Sequence, residues 1–236
     1  MVETDLILTE RREGYRIITL NRPDRLNSFN EAMHTGLMTT LVEAEADDTC
    51  RALVLTGAGR GFCLVRKLRA LQMPVICAVN GVAAGAGANI ALACDIILAA
   101  RSAKFIQAFA KLGLVPDSGG TWFLPRLVGP ARARALALLA EPVAAEQAEA
   151  WGMIWKAVDD SSLMDEANRL AAHFAAQPTV GLALIKQALD ASETNDLDRQ
   201  LDLERDLQGQ AGRTPDYLEG VTAFFEKRSP KFTGKA

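Results

Sequence analysis

Apolar residues gather in short unbroken runs in the first part of the chain and in spaced stripes in the last part. Residues 14–20 and 51–55 are rich in β-branched or large apolar side chains and end in turn formers, which predicts strands. Between them Met33, Leu37 and Leu41 recur every four residues with Val42 alongside, after the turn-like NRPDRLN, so an amphipathic helix is expected there. PVICAV (74–79) is continuously apolar between Pro74 and Asn80, as a strand buried on both faces would be. Gly81, Gly85 and Gly87 then precede ANIALAC, and DIILAA (95–100) reads as another buried strand. Strand, glycine turn, helix and strand in quick succession are α/β grammar.

From about residue 161 the pattern is helical only. Ser162 with Asp165 has the spacing of a capping box, Asn195 is placed to cap a helix carrying Leu197, Leu201 and Glu204, and Thr214-Pro215 opens another helix running to about Lys227. The alanine-rich ARARALALLA (131–140) is a good helix sequence. We divide the chain into an α/β body over 1–177 and a helical region over 178–236, whose apolar stripes lack a sheet to lie on and call for the body or another subunit.

Composition narrows the function classes. The chain has 236 residues, 49% of them hydrophobic and 23% charged, which fits a soluble globular protein and excludes collagen, disorder and coiled coil. Twenty-six Lys and Arg against 29 Asp and Glu leave a net charge of −3, so no broad positive field exists to bind nucleic acid. Residues 70–94 carry no charge, but Pro74, Asn80, Asn89 and several glycines and alanines make them weakly hydrophobic, and a buried strand, turn and helix explains them better than a membrane span. Cys50, Cys63, Cys77 and Cys94 match no zinc spacing and read as buried free thiols. With an N-terminus unlike a signal peptide, the expected compartment is the cytoplasm.

Several motifs tempt and then fail. NGVAAGAG (80–87) has the glycines of a dinucleotide-binding turn, but Tyr15 and Tyr217 are followed four residues on by Thr19 and Val221, not by the Lys that short-chain dehydrogenases use. PDSGGT (116–121) has a serine in a protease-like setting, yet His34 and His173 both fall within amphipathic helical patterns. Two distant histidines and dispersed carboxylates show no metal-ligand spacing. Two features keep a chemical meaning. A glycine turn feeding a helix presents unpaired N–H groups at Ala86 and Gly87, suited either to a developing oxyanion or merely to tight packing. Asp117, before Ser-Gly-Gly, is a good helix cap, the more frequent role for such a residue, or else an acid for proton transfer beside a carbonyl.

LTGAGRGFC (55–63), PVICAVNGVAAGAGANIALACDIILAA (74–100) and KLGLVPDSGGTWFLPRLVG (111–129), in that order, resemble the enoyl-CoA hydratase/isomerase, or crotonase, superfamily. The resemblance runs from the opening strands to FFEKRSPKF. It implies a spiral of ββα units, with C-terminal helices that build homotrimers or hexamers as pairs of trimers. It implies an acyl-CoA substrate, with coenzyme A as part of that substrate and no metal, flavin or nicotinamide.

Within the superfamily, two-glutamate hydratases resemble this chain, but their catalytic positions here hold Asn89 and Phe109, and neither an amide nor a phenyl ring activates water. Asp117 matches the aspartate of the isomerase branch, nearest the enzymes that open a ring epoxide fused to an arylacetyl thioester in phenylacetate breakdown. The resemblance thus implies Asp117 as proton shuttle and the Ala86 backbone N–H as oxyanion donor. Gly87, Asn89, Phe109 and Trp122 would line the pocket, and Arg25, Leu26, Phe224 and Lys227 would hold CoA. The alternatives are an enoyl-CoA hydratase, a 3,2-enoyl-CoA isomerase of fatty acid oxidation, or a catalytically silent CoA-binding oligomer.

One departure stands out. Family members follow GAGRGFC with a small residue, a glycine and an acid, then a loop or helix supplying the other oxyanion N–H and part of the CoA pocket. Here Cys63 is followed at once by Leu64-Val65-Arg66-Lys67. The expectation is that residues are omitted at this junction, with Cys63 and Leu64 farther apart than the ~3.8 Å between bonded Cα neighbours.

Overall fold

The computed structural model describes residues 6–22, 31–56 and 62–235. Strand β1 (Ile7–Arg12) pairs antiparallel with β2 (Tyr15–Leu20). Helix α1 (Glu31–Glu45) leads to β3 (Ala52–Thr56), and α2 (Phe62–Ala70) leads to β4 (Val75–Val79). The short β5 (Val82–Ala84) passes through the glycine turn into α3 (Ala86–Leu92), followed by β6 (Ile96–Ala100) and β7 (Lys104–Ile106). After a 3₁₀ turn at Ala108–Leu112 come α4 (Gly120–Leu139), β8 (Val143–Ala144), α5 (Ala145–Ala150) and β9 (Lys156–Val158). Helices α6 (Leu163–Ala175), α7 (Thr179–Ser192), α8 (Leu197–Ala211) and α9 (Pro215–Glu226) complete the chain.

Among the described residues, one sheet runs in the order β1-β2-β3-β4-β6-β9 and is parallel from β2 onward; a second has the order β5-β7-β8. β3 and β4 are buried at every residue, with α6 packed against them, which is why their sequences are nearly unbroken apolar runs. Edge strand β1 is mostly exposed and carries Glu10, Arg11 and Arg12, charges that discourage further pairing. α6 lies against β3, β4 and β6 and buries Leu163, Ala167 and Ala171, the two alanines being small enough to let helix and sheet approach closely. No helix among the described residues is long and apolar enough to cross a membrane, and residues 70–94 hold β4, β5 and the whole of α3.

Several local expectations need correction. Met33, Leu37 and Leu41 are buried as predicted, but Val42 is 51% exposed, off the edge of the stripe. Ser162 stands before α6 without a side-chain capping bond, its backbone already αR. The cap of α8 is Asp196, which accepts from Arg199 N at 2.9 Å, rather than Asn195, whose amide donates to Gln200 instead. Thr214 does cap α9, accepting from Tyr217 N at 3.2 Å. Cys50, Cys77 and Cys94 are buried free thiols, and burial pushes Cys50 up to about 11. At the Cys63-Leu64 junction α2 runs continuously through both residues.

The last helices are tied back to the body. Lys186 of α7 donates to Asp95 at 2.7 Å and to the Met73 carbonyl at 3.0 Å, and Asp95 also accepts from Val75 N at the start of β4. Arg51, just before β3, donates to Thr179 Oγ1, to the Gln177 carbonyl and to the Phe232 carbonyl. Asp216, 2% exposed in the first turn of α9, accepts from the backbone N–H groups of Thr233 and Gly234, both at 2.7 Å. Gly234 has φ +73, and a Cβ there would lie 2.7 Å from Arg51 Nε and from Thr179 Oγ1, so this clip closes only on a glycine.

Candidate active site at the glycine turn and the Asp117 loop

The site is built where β5 passes into α3. Gly85 takes φ 56, ψ −125, a conformation that disfavours any side chain, and its N–H donates to the Ile106 carbonyl at 2.7 Å. That turn aims the chain into α3, a helix buried at every residue. Its first N–H groups, Ala86 and Gly87 among them, have no acceptor within the helix. Phe109, 2% exposed on the 3₁₀ turn, lies against the same bend: a Cβ on Gly85 would be 3.6 Å from its ring. Both halves of this corner are therefore small backbone and flat ring.

Asn89, fully buried one turn into α3, donates from Nδ2 to the Asp117 carbonyl at 2.8 Å. Its Oδ1 accepts from Gln107 Nε2 at 2.7 Å. The same Asp117 carbonyl accepts from Gly120 N at 2.9 Å, so it is held from two sides. Gly120 permits the approach of α3 to α4, because a Cβ there would fall 2.2 Å from Asn89 Nδ2. Gly120→Ala is accordingly expected to destabilise the fold by about 1–3 kcal/mol, the usual scale of overpacking. A calorimetric unfolding midpoint equal to that of the wild type would show that the two helices part without penalty.

Asp117 itself is half-buried, and its Oδ1 is buried with no hydrogen-bond partner. The capping role open to it is not used: α4 begins after Gly119, in the left-handed region at φ 78, with no side-chain capping bond. Ser118, 1% exposed, has φ 50, so two consecutive residues after Asp117 are left-handed, one of them not glycine. Such a turn is costly and persists where its surroundings over-determine it.

Trp122 is 37% exposed and stands edge-on to Phe123, ring centroids 4.8 Å apart, with the Arg126 guanidinium 4.2 Å above it. It lines a cleft of about 790 Å³ together with Val65, Arg66, Arg69, Gly119 and Phe123. The cleft thus adjoins the Asp117 loop through Gly119, and α2 forms its other wall. Phe224 is 79% exposed and lines a separate cavity of about 500 Å³ with Tyr217, Val221, Phe225 and Phe232. Lys227, exposed, ends α9 in the left-handed conformation. The structure brings together Ala86, Gly87, Asn89, Phe109 and Asp117, puts Trp122 on the adjoining cleft, and leaves Phe224 and Lys227 elsewhere on the chain. Arg25 and Leu26 lie outside the described residues. Gln107 was missed in the sequence, where the only sign of it was one polar residue in the apolar run FIQAF.

The Enoyl-CoA hydratase/isomerase family matches the chain twice, over residues 15–64 and 64–235. The 1,2-epoxyphenylacetyl-CoA isomerase of Escherichia coli (strain K12) is 56% identical over 260 aligned residues, covering 98% of this chain and 99% of that protein. The crotonyl-CoA hydratase of Syntrophomonas wolfei is 31% identical, covering 97% and 98%. Among solved structures, an enoyl-CoA hydratase from Polaromonas sp. JS666 matches with a TM-score of 0.90 at 30% identity, covering 96% and 99%. An enoyl-CoA hydratase from Bacillus anthracis matches with a TM-score of 0.91 at 28% identity, covering 98% and 100%.

Proposed function

Because the chain belongs to the enoyl-CoA hydratase/isomerase family and has its crotonase fold, we propose that the site described above isomerises an acyl-CoA thioester by proton transfer at the carbon α to the carbonyl. The enzyme is an isomerase, and its substrate is 1,2-epoxyphenylacetyl-CoA, as the name of the Escherichia coli relative indicates. The Asp117 carboxylate takes the α-proton, and the C–H electron pair moves into the thioester, whose oxygen becomes an enolate held by the Ala86 N–H. The fused epoxide ring opens to a seven-membered oxepin, and the proton returns to another carbon of the conjugated system. Substrate and product have the same atoms, so one shuttling carboxylate suffices and no external base, water or cofactor is consumed.

The observation that carries this reading is the buried, partnerless Oδ1 of Asp117, on a side chain that does not cap its helix. A buried carboxylate oxygen without a donor is expensive in a merely structural role and useful to a base. Hydration is disfavoured by chemistry: Asn89 is already committed to two amide hydrogen bonds, and Phe109 is a buried hydrocarbon ring. Gly87 and Phe109 would form the wall against which the thioester sits, and Trp122 would meet the ring.

For CoA we assign Arg25, Leu26, Phe224 and Lys227, with Lys227 as a point charge for a phosphate. Phe224 and Lys227 stand apart from the Asp117 cluster within one chain, which supports their serving a neighbouring subunit. A homotrimer or a pair of trimers is supported by apolar side chains left exposed on the last helices, including Ile185, Leu189, Leu197, Leu218, Phe224 and Phe225. We divide the chain accordingly at 177/178, and the three buried free thiols support a cytoplasmic enzyme.

The discriminating experiment compares three thioesters: the ring epoxide, a straight-chain 3-enoyl-CoA, and crotonyl-CoA. The ring epoxide is expected to be turned over fastest, with crotonyl-CoA hydration at least about a hundredfold slower, as loss of acid–base groups commonly costs. Hydration as fast as isomerisation would overturn the role denied to Asn89 and Phe109; a faster straight-chain isomerisation would move the substrate assignment to fatty acyl chains.

A further inference from the structure

Two buried amides stand behind Asp117 that the proposed proton transfer does not use. Gln107 is 3% exposed, and although it precedes the 3₁₀ turn its side chain makes no capping bond there. It donates to Asn89 Oδ1 at 2.7 Å, and Asn89 donates to the Asp117 carbonyl at 2.8 Å. The direction of both bonds is forced. A backbone carbonyl only accepts, so Asn89 must turn its NH₂ to Asp117 and its oxygen to Gln107, and Gln107 must answer with its own NH₂. Bonds aligned head to tail polarise one another in a buried setting.

The geometry of the surroundings makes this chain stiff. Gly120 comes so close to Asn89 that any Cβ there would collide with its amide. Asn89 lies three residues after Ala86 on the same buried helix, so whatever fixes Asn89 to the loop also fixes the loop relative to the Ala86 N–H. The loop needs fixing, because Ser118 and Gly119 hold left-handed conformations directly after Asp117. Gln107 keeps its Oε1 buried and without a partner, so the one hydrogen bond its amide makes is the one to Asn89.

We infer that Gln107 is a positioning residue, which orients the Asp117 carboxyl toward the substrate α-carbon by holding Asn89, and through it the Asp117 backbone, in register with the oxyanion turn. This rests on the reading of Asp117 as the proton shuttle. It adds a residue outside that machinery whose loss alters the rate of proton transfer and leaves CoA binding untouched.

The test uses Gln107→Met, which keeps size and removes the donor, with turnover of the ring-epoxide thioester and deuterium exchange into the α-position of phenylacetyl-CoA as readouts. A fall in kcat of about ten- to hundredfold with KM within about twofold is expected, since small misplacements of a reacting group act on the chemical step. Exchange should slow by the same factor. In an Asp117→Asn background Gln107→Met should have no additional effect, because the two residues act in series. An unchanged kcat, or a rise in KM with kcat preserved, overturns the inference. A further loss in the Asp117→Asn background overturns it too, while leaving Asp117 as the shuttle; a fully active Asp117→Asn removes the shuttle reading and the inference together. If Gln107→Met does not fold, Gln107→Asn, one methylene too short to reach Asn89, is read by the same criteria.

Discussion

Asp117→Asn lowers kcat for the ring-epoxide thioester by about a thousandfold, within the range that a positioned acid–base group contributes. The amide is nearly isosteric with the carboxylate but does not accept a proton at neutral pH, so the substitution removes the chemistry and little else. The folded state should scarcely notice. The Asp117 side chain does not cap α4, its Oδ1 makes no bond to lose, and the Asp117 contacts that hold the loop run through its backbone carbonyl. An unfolding midpoint close to that of the wild type, together with loss of α-proton exchange, is therefore the expected pair of results. A variant that isomerises at the wild-type rate would transfer the shuttle to a different group.

The second large effect concerns α2. The match to the family is split at residue 64, and alignment to the Escherichia coli isomerase spans 260 positions against 236 residues here, so at least 24 positions have no counterpart in this chain. The motif order puts this loss after GAGRGFC, where the resemblance locates the second oxyanion donor, and α2 passes straight through Cys63 and Leu64. Inserting the corresponding segment of that relative between Cys63 and Leu64 is expected to raise kcat by about a hundredfold, the rate equivalent of one oxyanion donor at roughly 3 kcal/mol. It should also tighten CoA binding. A folded insertion variant with unchanged kcat would mean that the shortened chain already supplies two donors to the thioester oxygen.

The sequence was most legible where one physical cause acts alone. β3, β4 and β6 are buried almost throughout, so their apolar runs are unambiguous, and Thr214-Pro215 marks the start of α9 because cap and N1 proline coincide. Where two residues compete, the nearer one in three dimensions wins: Asp196 takes the cap of α8 because its charged oxygen meets Arg199 N, and Asn195 is drawn to Gln200. The short strands β5, β7 and β8 have two or three residues each and carry no periodicity to read. At the site, Asp117 and Ala86 could be picked out by resemblance, yet spacing alone left each with a structural alternative. Gln107 was invisible because its meaning depends on Asn89, eighteen residues away in sequence and 2.7 Å away in space.

The clip formed by Arg51, Asp216 and Gly234 has a consequence for how the enzyme is made. Arg51 opens β3, in the centre of the main sheet, but the Phe232 carbonyl that it grips lies 181 residues later. During synthesis the sheet and the Gln177 and Thr179 contacts of Arg51 can form before that carbonyl exists, so the third arm of the guanidinium's grip is completed only when nearly the whole polypeptide has left the ribosome. Docking of α9 and of the segment after it against β3 is thereby postponed to the end of translation, after the sheet is complete.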